Sequence, residues 1–275
     1  MTLEERIAYW VDAGVTPYQE VEALQVALVS LRAQDKIPDV IIATQHHPEV
    51  NFGGAQKDNQ FSVALLEEVI RERNLTCALD GVPLETVREV LKEKGYNFSK
   101  SSRGGGATVY SPGQLVYYPV VEHTEITGKA GQTGLPDYKQ AIYSIMFQAL
   151  QRLGVSDINV VSAVRTRGER RDAWIQRNGV TLKMGSKGII FGKKVAYQGF
   201  ALYVDQKCVE PFSLVHPCGF TKSEVKIHSL QEELERKVNH AGVHREVRRQ
   251  IERVFNYQRT EDLSYDVLKR KVCSE

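Results

Sequence analysis

One cysteine lies in a setting that suits nucleophilic chemistry. Cys218 stands between Pro217 and Gly219, two residue types that place it in a sharp turn and not in a regular element. A turn exposes the sulfur and can direct backbone N–H groups towards it. An ordinary thiol, with a pKa of about 8.5, is only about 3% thiolate at pH 7, so a nearby cation would have to activate it. The alternative for a single cysteine is a buried structural thiol.

Lys187 is a second residue with possible chemistry. It opens an apolar, glycine-containing strand that we predict over residues 187–193. A lysine in such a setting can lose contact with water, which lowers its pKa. The alternative is a solvated lysine at the end of a strand. We interpret the neighbouring Lys183, Lys193 and Lys194 as solvated side chains.

Three consecutive glycines follow Arg103 and precede β-type residues. Without Cβ atoms, their N–H groups can face a ligand carbonyl or phosphate, and Arg103 would add a fixed cation. The alternative is a flexible surface turn. The segment has neither the spacing of a dinucleotide-binding fingerprint nor the Lys-Ser/Thr ending of a phosphate-binding loop. A further glycine, Gly199, permits close backbone approach within a predicted core strand.

The elements that would position these residues mix helices with hairpin-like strands. Apolar periodicity and turn residues predict helices near 17–31, 62–72, 84–94, 137–153 and 229–257, and strands near 39–44, 108–110, 115–119, 157–163, 173–176, 187–193, 194–205 and 212–216. This order favours an α+β arrangement over a doubly wound sheet. We predict one catalytic domain over residues 1–257 and a polar tail over 258–275. The basic stretch 244–253 is either a solvated helix face or a docking surface for an acidic partner.

Composition and charge exclude several classes of protein. The 275 residues are 42% apolar and 25% charged, as in ordinary globular proteins. With 36 Lys and Arg against 34 Asp and Glu, the net charge of +2 argues against a dedicated nucleic-acid binder. We find no apolar run of about 18 residues for a membrane span, and the acidic start lacks the features of a signal peptide. Four scattered cysteines without metal-ligand spacing predict free thiols, no metal and a cytoplasmic location.

Together and in this order, the motifs resemble those of the lipoyl(octanoyl) transferases. The resemblance extends from about residue 14 to about residue 255. It is carried by Tyr18, Leu24-Gln25, Leu28-Val29, Arg32, Pro38-Asp39, His47-Pro48, Arg103-Gly104-Gly105, Thr108, Pro112-Gly113-Gln114-Leu115-Val116, Tyr118-Pro119, Lys187, Gly192, Gly199-Phe200-Ala201-Leu202 and Pro217-Cys218-Gly219.

The resemblance implies an α/β fold of the biotin/lipoate protein ligase type, with a main mixed sheet, a smaller sheet and flanking helices. It implies transfer of an octanoyl group from acyl carrier protein to a lysine on the lipoyl domains of 2-oxoacid dehydrogenases and on the glycine-cleavage H protein. Cys218 would be the acyl-thioester nucleophile, and Lys187 would lower its pKa and move protons. No cofactor, nucleic acid or membrane is implied.

The same resemblance implies a set of substrate-binding residues around the acyl chain. They are His47, Arg103, Gly104, Gly105, Gly106, Ala107, Thr108, Val109, Tyr110, Ile190, Phe191, Gly192, Gly199, Phe200 and Ala201.

The chain departs from the family pattern at several polar positions. Val109-Tyr110-Ser111 stands where Tyr-His-Gly is usual, Gln198 replaces a histidine, Tyr203 an asparagine and Glu49 a proline. Three alternatives therefore accompany the prediction. They are an ATP-dependent lipoate or octanoate ligase on the same fold, a non-catalytic protein that binds acyl chains or lipoyl domains, and a transferase that moves the acyl group between carrier proteins.

Overall fold

A mixed sheet of eight strands, with a three-stranded sheet beside it, forms the frame of the computed structural model. The structure describes residues 6–54, 61–103, 106–126, 134–156, 172–215 and 226–274. The strands are β1 Ile7–Thr16, β2 Asp39–His46, β3 Glu49–Phe52, β4 Asn97–Lys100, β5 Ala107–Tyr110, β6 Gln114–Glu122, β7 Ala173–Arg177, β8 Val180–Phe191, β9 Val195–Tyr203, β10 Lys226–Ile227 and β11 Arg259–Asp262. The helices are α1 Tyr18–Ala33, α2 Val63–Glu72, α3 Leu84–Glu93, α4 Leu135–Arg152, α5 Leu230–Leu234, α6 His240–Val254 and α7 Tyr265–Cys273.

The large sheet has the strand order β10-β8-β9-β6-β2-β1-β11, and β7 also pairs with β8. Its centre is antiparallel, whereas β1 runs parallel to both β2 and β11, and β10 runs parallel to β8. The small sheet has the order β4-β3-β5. The predicted main mixed sheet, smaller sheet and flanking helices are confirmed.

Helices cover both faces of the large sheet. Apolar side chains of α4 and α6 pack on one face, and those of α1 and α7 pack on the other. Consequently β2 and β6 are buried on both faces, and nearly every one of their residues is inaccessible. Helices α2 and α3 cover the small sheet with a separate apolar cluster. The large sheet is thus a rigid support for groups placed between the two sheets.

Several predicted elements need correction. The polar tail expected over 258–275 instead forms β11, which pairs with β1, and α7, whose Leu268 is buried against the core. The strand suggested at 212–216 is mostly the 3-10 helix Glu210–Leu214. Strand β1 was not predicted, and the strand expected at 157–163 lies outside the described residues. No helix in the described part of the chain is long and apolar enough to cross a membrane.

Candidate functional site

A cavity opens where the small sheet meets the face of the large sheet that carries α1. It contains about 410 Å³ of empty space, part of it open to solvent. Its walls come from the segment before β5, from β5 itself and from the middle of β6, β8 and β9. They are lined by Arg103, Thr108, Tyr110, Gln114, Val116, Tyr118, Ser186, Lys187, Gly188, Gln198, Gly199, Phe200, Ala201 and Tyr203. Nine of these residues carry a polar side-chain atom, including the charged Arg103 and Lys187, and Val116, Phe200 and Ala201 are apolar. The cavity can therefore contact both a polar and an apolar part of one ligand.

Gly199 is required by the close approach of β6. A Cβ atom at this position would lie 1.9 Å from the Tyr117 carbonyl oxygen and 2.9 Å from Cδ of Pro119. Gly199 pairs across the sheet with Gly188, so two facing positions of β8 and β9 lack side chains at the cavity wall. The close backbone approach predicted for Gly199 is therefore confirmed, and the neighbour is the β6 backbone.

The Arg103 side chain is hydrogen-bonded to β3 and to the end of the glycine-rich segment. Its Nε donates to Oδ1 of Asn51 at 2.6 Å, and its Nη2 donates to the carbonyl oxygens of Asn51 at 2.8 Å and of Gly106 at 2.7 Å. The N–H of Gly54 in turn donates to the Arg103 carbonyl at 3.0 Å. The guanidinium is therefore held in place in the cavity wall, and it also ties this segment to β3. Gly104 and Gly105 lie outside the described residues.

Strand β5 divides its side chains between the cavity and the small-sheet core. Thr108 and Tyr110 line the cavity, whereas Ala107 and Val109 pack in the cluster under α2 and α3. This follows from the two-residue period of a strand, which sends neighbouring side chains to opposite faces. The structure thus brings two of the four predicted β5 residues to the cavity.

His46, and not His47, points inward at the end of β2. Its Nδ1 lies 2.8 Å from the Thr16 carbonyl and its Nε2 lies 2.8 Å from the Tyr118 hydroxyl. A carbonyl can only accept, so Nδ1 carries the proton and Tyr118 donates to Nε2. Burial lowers the pKa of His46 to about 4, which keeps the ring neutral at pH 7. The predicted ligand contact His47 is exposed and does not line the cavity.

Gln198 occupies a strained position beside the cavity. It is buried with a φ of 62°, in the left-handed region that side chains seldom adopt. Its N–H donates to Oε1 of Gln25 at 2.9 Å, and its side-chain amide donates to Tyr18 Oη at 3.2 Å and to Glu22 Oε1 at 3.3 Å. Burial raises the pKa of Glu22 above its usual range. Residues of α1 therefore hold the side chain of Gln198, which replaces the histidine of the family pattern.

Lys187 belongs to a buried cluster of three charges. Asp172, immediately before β7, accepts from Lys187 Nζ at 3.3 Å through Oδ1 and from Lys183 Nζ at 3.1 Å through Oδ2. Burial lowers the pKa of Lys187, although the Asp172 carboxylate raises it. The prediction that Lys183 is solvated is wrong, because its side chain is only 1% exposed. Asp172 was missed because it ends a charged stretch of sequence in which nothing distinguishes it.

The segment Ile190, Phe191 and Gly192 lies beyond the cavity. Phe191 stacks on His123 with ring centroids 3.9 Å apart, and the Gly192 carbonyl accepts from His123 Nε2 at 3.0 Å. The three residues end β8 at its turn into β9, after the strand has passed the cavity at Gly188. Although the resemblance predicts that they bind the acyl chain, they do not line the cavity that the structure describes.

Cys218 lies outside the described residues. The described chain stops at Val215, which pairs with Phe61, and resumes at Lys226, which pairs with Leu182 directly beside Lys183. None of the three cysteines in the described ranges, Cys77, Cys208 and Cys273, lines the cavity. Burial raises the pKa of Cys208 to about 12, so this thiol is not a nucleophile at neutral pH.

The described residues contain no group of three or more His, Cys, Asp or Glu side chains that could hold a metal ion. The polar groups of the cavity are instead hydroxyls, amides, the guanidinium of Arg103 and the ammonium of Lys187. All of them can donate hydrogen bonds to oxygen or sulfur atoms of a ligand, and the ammonium can also give up a proton.

Comparisons with known proteins show which proteins this chain resembles. A model of the lipoyl protein ligase A/B catalytic domain matches residues 17–252. An octanoyltransferase of Rubrobacter xylanophilus is 31% identical over 252 residues, 90% of this chain and 94% of the relative. An octanoyltransferase of Syntrophobacter fumaroxidans is 26% identical over 250 residues, 91% of each chain.

Solved structures with the same fold include a bi-partite lipoate protein ligase of Thermoplasma acidophilum, with a TM-score of 0.62 and 13% identity over 98% of this chain and 93% of that one. Another is lipoate-protein ligase A bound with ATP, with a TM-score of 0.62 and 12% identity over 99% of this chain and 93% of that one. At such identities these structures establish the fold alone. Because the family model matches most of the sequence and the Rubrobacter relative aligns almost from end to end, this chain belongs to the lipoyl protein ligase A/B catalytic domain family.

Proposed function

We propose that this chain is an octanoyltransferase that moves an octanoyl group from acyl carrier protein to the lysine of lipoyl carrier domains through a thioester at Cys218. The octanoyltransferases among its relatives support acyl transfer. The observation that carries the proposal is the largely buried ammonium of Lys187 in the wall of a cavity that Val116, Phe200 and Ala201 also line. A cation in that position can stabilise a thiolate or an oxyanion at one end of an acyl chain.

The first half-reaction exchanges one thioester for another. The Cys218 thiolate attacks the carbonyl carbon of the donor thioester, and the bond to the carrier sulfur breaks. Lys187, as ammonium, gives its proton to the departing thiolate. The acyl group then rests on Cys218, and Lys187 is neutral.

The second half-reaction forms an amide. The neutral Lys187 takes a proton from the acceptor lysine as its nitrogen attacks the acyl carbonyl, and Cys218 leaves as thiolate. An ordinary lysine, with a pKa of about 10.4, is a poor base at pH 7. Burial lowers the pKa of Lys187, which suits this second role.

The octanoyl chain would lie along the apolar wall of the cavity, against Val116, Phe200 and Ala201. Its seven carbons beyond the carbonyl contribute roughly 5–6 kcal/mol if fully buried, at about 0.8 kcal/mol each. A chain one methylene longer or shorter changes the preference by only about 1–3 kcal/mol. We therefore expect hexanoyl and decanoyl donors to react more slowly but measurably.

Mass spectrometry of the intact protein tests the proposal. After incubation with octanoyl-acyl carrier protein and no ATP, wild-type protein should gain one octanoyl group, and Cys218→Ser should gain none. Cys273→Ser is the matched control, because Cys273 is exposed at the far end of α7, and it should behave as wild type. An undiminished adduct in Cys218→Ser removes Cys218 from its role, and a product that requires free octanoate and ATP identifies a ligase instead.

The role of Lys187 is tested by the alkylation of Cys218 over a range of pH. Because a nearby ammonium favours the thiolate, Lys187→Met should move the alkylation profile to higher pH. Lys193→Met, at an exposed position of the β8–β9 turn, is the control and should not move it. If only Lys183→Met moves the profile, the activating ammonium is Lys183 and the assignment to Lys187 is wrong.

A further inference from the structure

A second cavity lies on the face of the large sheet that carries α6, where β1 and β2 end. It contains about 960 Å³ of empty space, part of it open to solvent. It is lined by Trp10, Asp12, Gly14, Thr44, Gln45, His240, Ala241, His244, Arg245 and Arg248. None of these residues lines the cavity beside the small sheet. The second cavity is therefore a separate place on the molecule, and acyl transfer makes no use of it.

The pairing of β1 with β2 is irregular at the wall of the second cavity. Between Asp12 and Val15 the register shifts, so that Ala13 and Gly14 of β1 lie opposite the single residue Thr44 of β2. Gly14 has a φ of 61°, a backbone conformation that suits glycine. Such a β-bulge redirects the side chains beside it, and bulges are common next to binding sites.

His244 offers a hydrogen-bond donor to the second cavity. Its Nδ1 lies 3.2 Å from the hydroxyl of Tyr117, whose side chain is fully buried. Burial lowers the pKa of His244 below its ordinary value of 6.5, so the ring is neutral at pH 7 and carries one proton. If Nδ1 held that proton, the Tyr117 hydroxyl would have no acceptor among the described residues, and an unsatisfied buried donor is costly. Tyr117 therefore donates to Nδ1, and the ring proton is on Nε2, which has no described partner.

Arg245 adds a guanidinium with unused donors. Its side chain is exposed and lines the second cavity, and no carboxylate in the described part of the chain lies within ion-pair distance of it. Arg248, by contrast, is engaged: its Nη1 donates to Asp262 at 2.7 Å and its Nη2 donates to the Thr260 carbonyl at 2.6 Å. The Arg248 guanidinium also lies 5.5 Å from the centre of the Trp10 ring. Arg248 is thus a fixed part of the wall, whereas the N–H groups of Arg245 are available to a ligand.

Gln45 supplies a further donor, and Asp12 is the carboxylate of the wall. Gln45 Oε1 accepts the Gly113 N–H at 2.8 Å, and the side-chain NH₂ of Gln45 has no partner among the described residues. Asp12 is exposed, and its Oδ1 accepts the Gly14 N–H at 2.9 Å. A ligand that fits these groups presents oxygen acceptors to the donors and brings no second anionic group against Asp12.

We propose that the second cavity binds a small molecule through one oxyanion, a carboxylate or a phosphate, which accepts hydrogen bonds from the Arg245 guanidinium and from Nε2–H of His244. Hydrogen bonds between charged partners are stronger than those between neutral ones, and the guanidinium fork matches the oxygen atoms of both carboxylate and phosphate. This binding is independent of the proposed acyl transfer, because the two cavities share no lining residue.

NMR of protein labelled with ¹⁵N-histidine tests the site without an acyl donor. The spectrum shows which ring nitrogen of His244 carries the proton, and loss of signals in His244→Gln identifies them. Inorganic phosphate and acetate are then titrated separately at pH 7, with chloride holding the ionic strength constant. We expect the proton on Nε2 and a saturable shift of the His244 signals with at least one anion. A response to phosphate alone identifies a phosphate site, and a response to acetate alone identifies a carboxylate site.

Two arginine variants connect the shift to the second cavity. Arg245→Gln should raise the Kd of the anion by about 10- to 100-fold, and because Arg245 is exposed its replacement should leave the fold intact. Arg249→Gln is the matched control, since Arg249 is an exposed arginine of α6 that does not line the second cavity, and it should bind as wild type. The proposal is overturned if neither anion gives a saturable shift, or if Arg245→Gln and Arg249→Gln have the same Kd. A proton on Nδ1 removes His244 as a donor to the anion.

Discussion

Replacing Gly199 by alanine should severely destabilise the protein. The new Cβ would lie 1.9 Å from the Tyr117 carbonyl oxygen, whereas ordinary contact begins at 3.4 Å. The β6 and β9 backbones would have to separate locally by about 1.5 Å. Neither obstacle can rotate away, because one is a backbone carbonyl and the other is the ring of Pro119. Overpacking in a core typically costs 1–3 kcal/mol and occasionally more, and we expect at least about 3 kcal/mol here.

Thermal unfolding gives the measurement. A loss of about 3 kcal/mol should lower the Tm by roughly 6–12 °C for a protein of this size. Gly242→Ala is the matched control, since it adds the same methyl group on helix α6, where the nearest atom is 4.0 Å away. It should be neutral or stabilising by up to about 1 kcal/mol. A Gly199→Ala protein that unfolds within 2 °C of wild type would refute the close approach of β6 and β9.

Two further predictions concern stability. Burial lowers the pKa of His46 from 6.5 to about 4 on folding. Above pH 6.5 the ring is neutral in both the folded and the unfolded state, so stability has its full value. As the pH falls to 4, protonation of the unfolded state lowers the free energy of unfolding by about 3 kcal/mol. Urea unfolding of His46→Gln should therefore show a weaker loss of stability over that range, and an equal loss would contradict the buried neutral ring. Ending the chain after Tyr257 removes β11 and the buried Leu268 of α7, so the Tm should fall by several degrees, since one fully buried leucine alone contributes about 1.5–3 kcal/mol. A truncated protein with an unchanged Tm would restore the interpretation of residues 258–275 as a tail.

Local sequence patterns predicted the helices well. Helices α1 to α4 and α6 follow from amphipathic spacing and from residues at their ends, such as Ser62, whose hydroxyl caps α2 by accepting from the Leu65 N–H at 3.1 Å. Such signals act within one or two turns, so they can be read without knowing the fold. Strands β1 and β11 were not predicted, because their pairing joins residues 7–10 to residues 259–262. No local pattern encodes a partner so distant in the sequence.

The cavity could be predicted only in part. Arg103, Lys187 and Gly199 were recognised from their types and contexts, and all three line it. His47 was chosen over His46, since the choice between adjacent strand residues depends on which face is buried. All four residues of β5 were expected to bind the substrate. Because side chains alternate along a strand, only Thr108 and Tyr110 face the cavity, and Ala107 and Val109 face the core of the small sheet.

Residue types suited to the predicted chemistry could be identified from the sequence: a cysteine between proline and glycine, a lysine at the start of an apolar strand, and glycines where backbones meet. Which charged side chains come together depends on the tertiary fold. Asp172 and Lys183 are unremarkable in the sequence, and they join Lys187 only because β7 pairs with β8 and helix α4 covers that face of the sheet. Burial and charge pairing arise between segments that are distant in the sequence, whereas residue type and helical or strand periodicity belong to each segment alone.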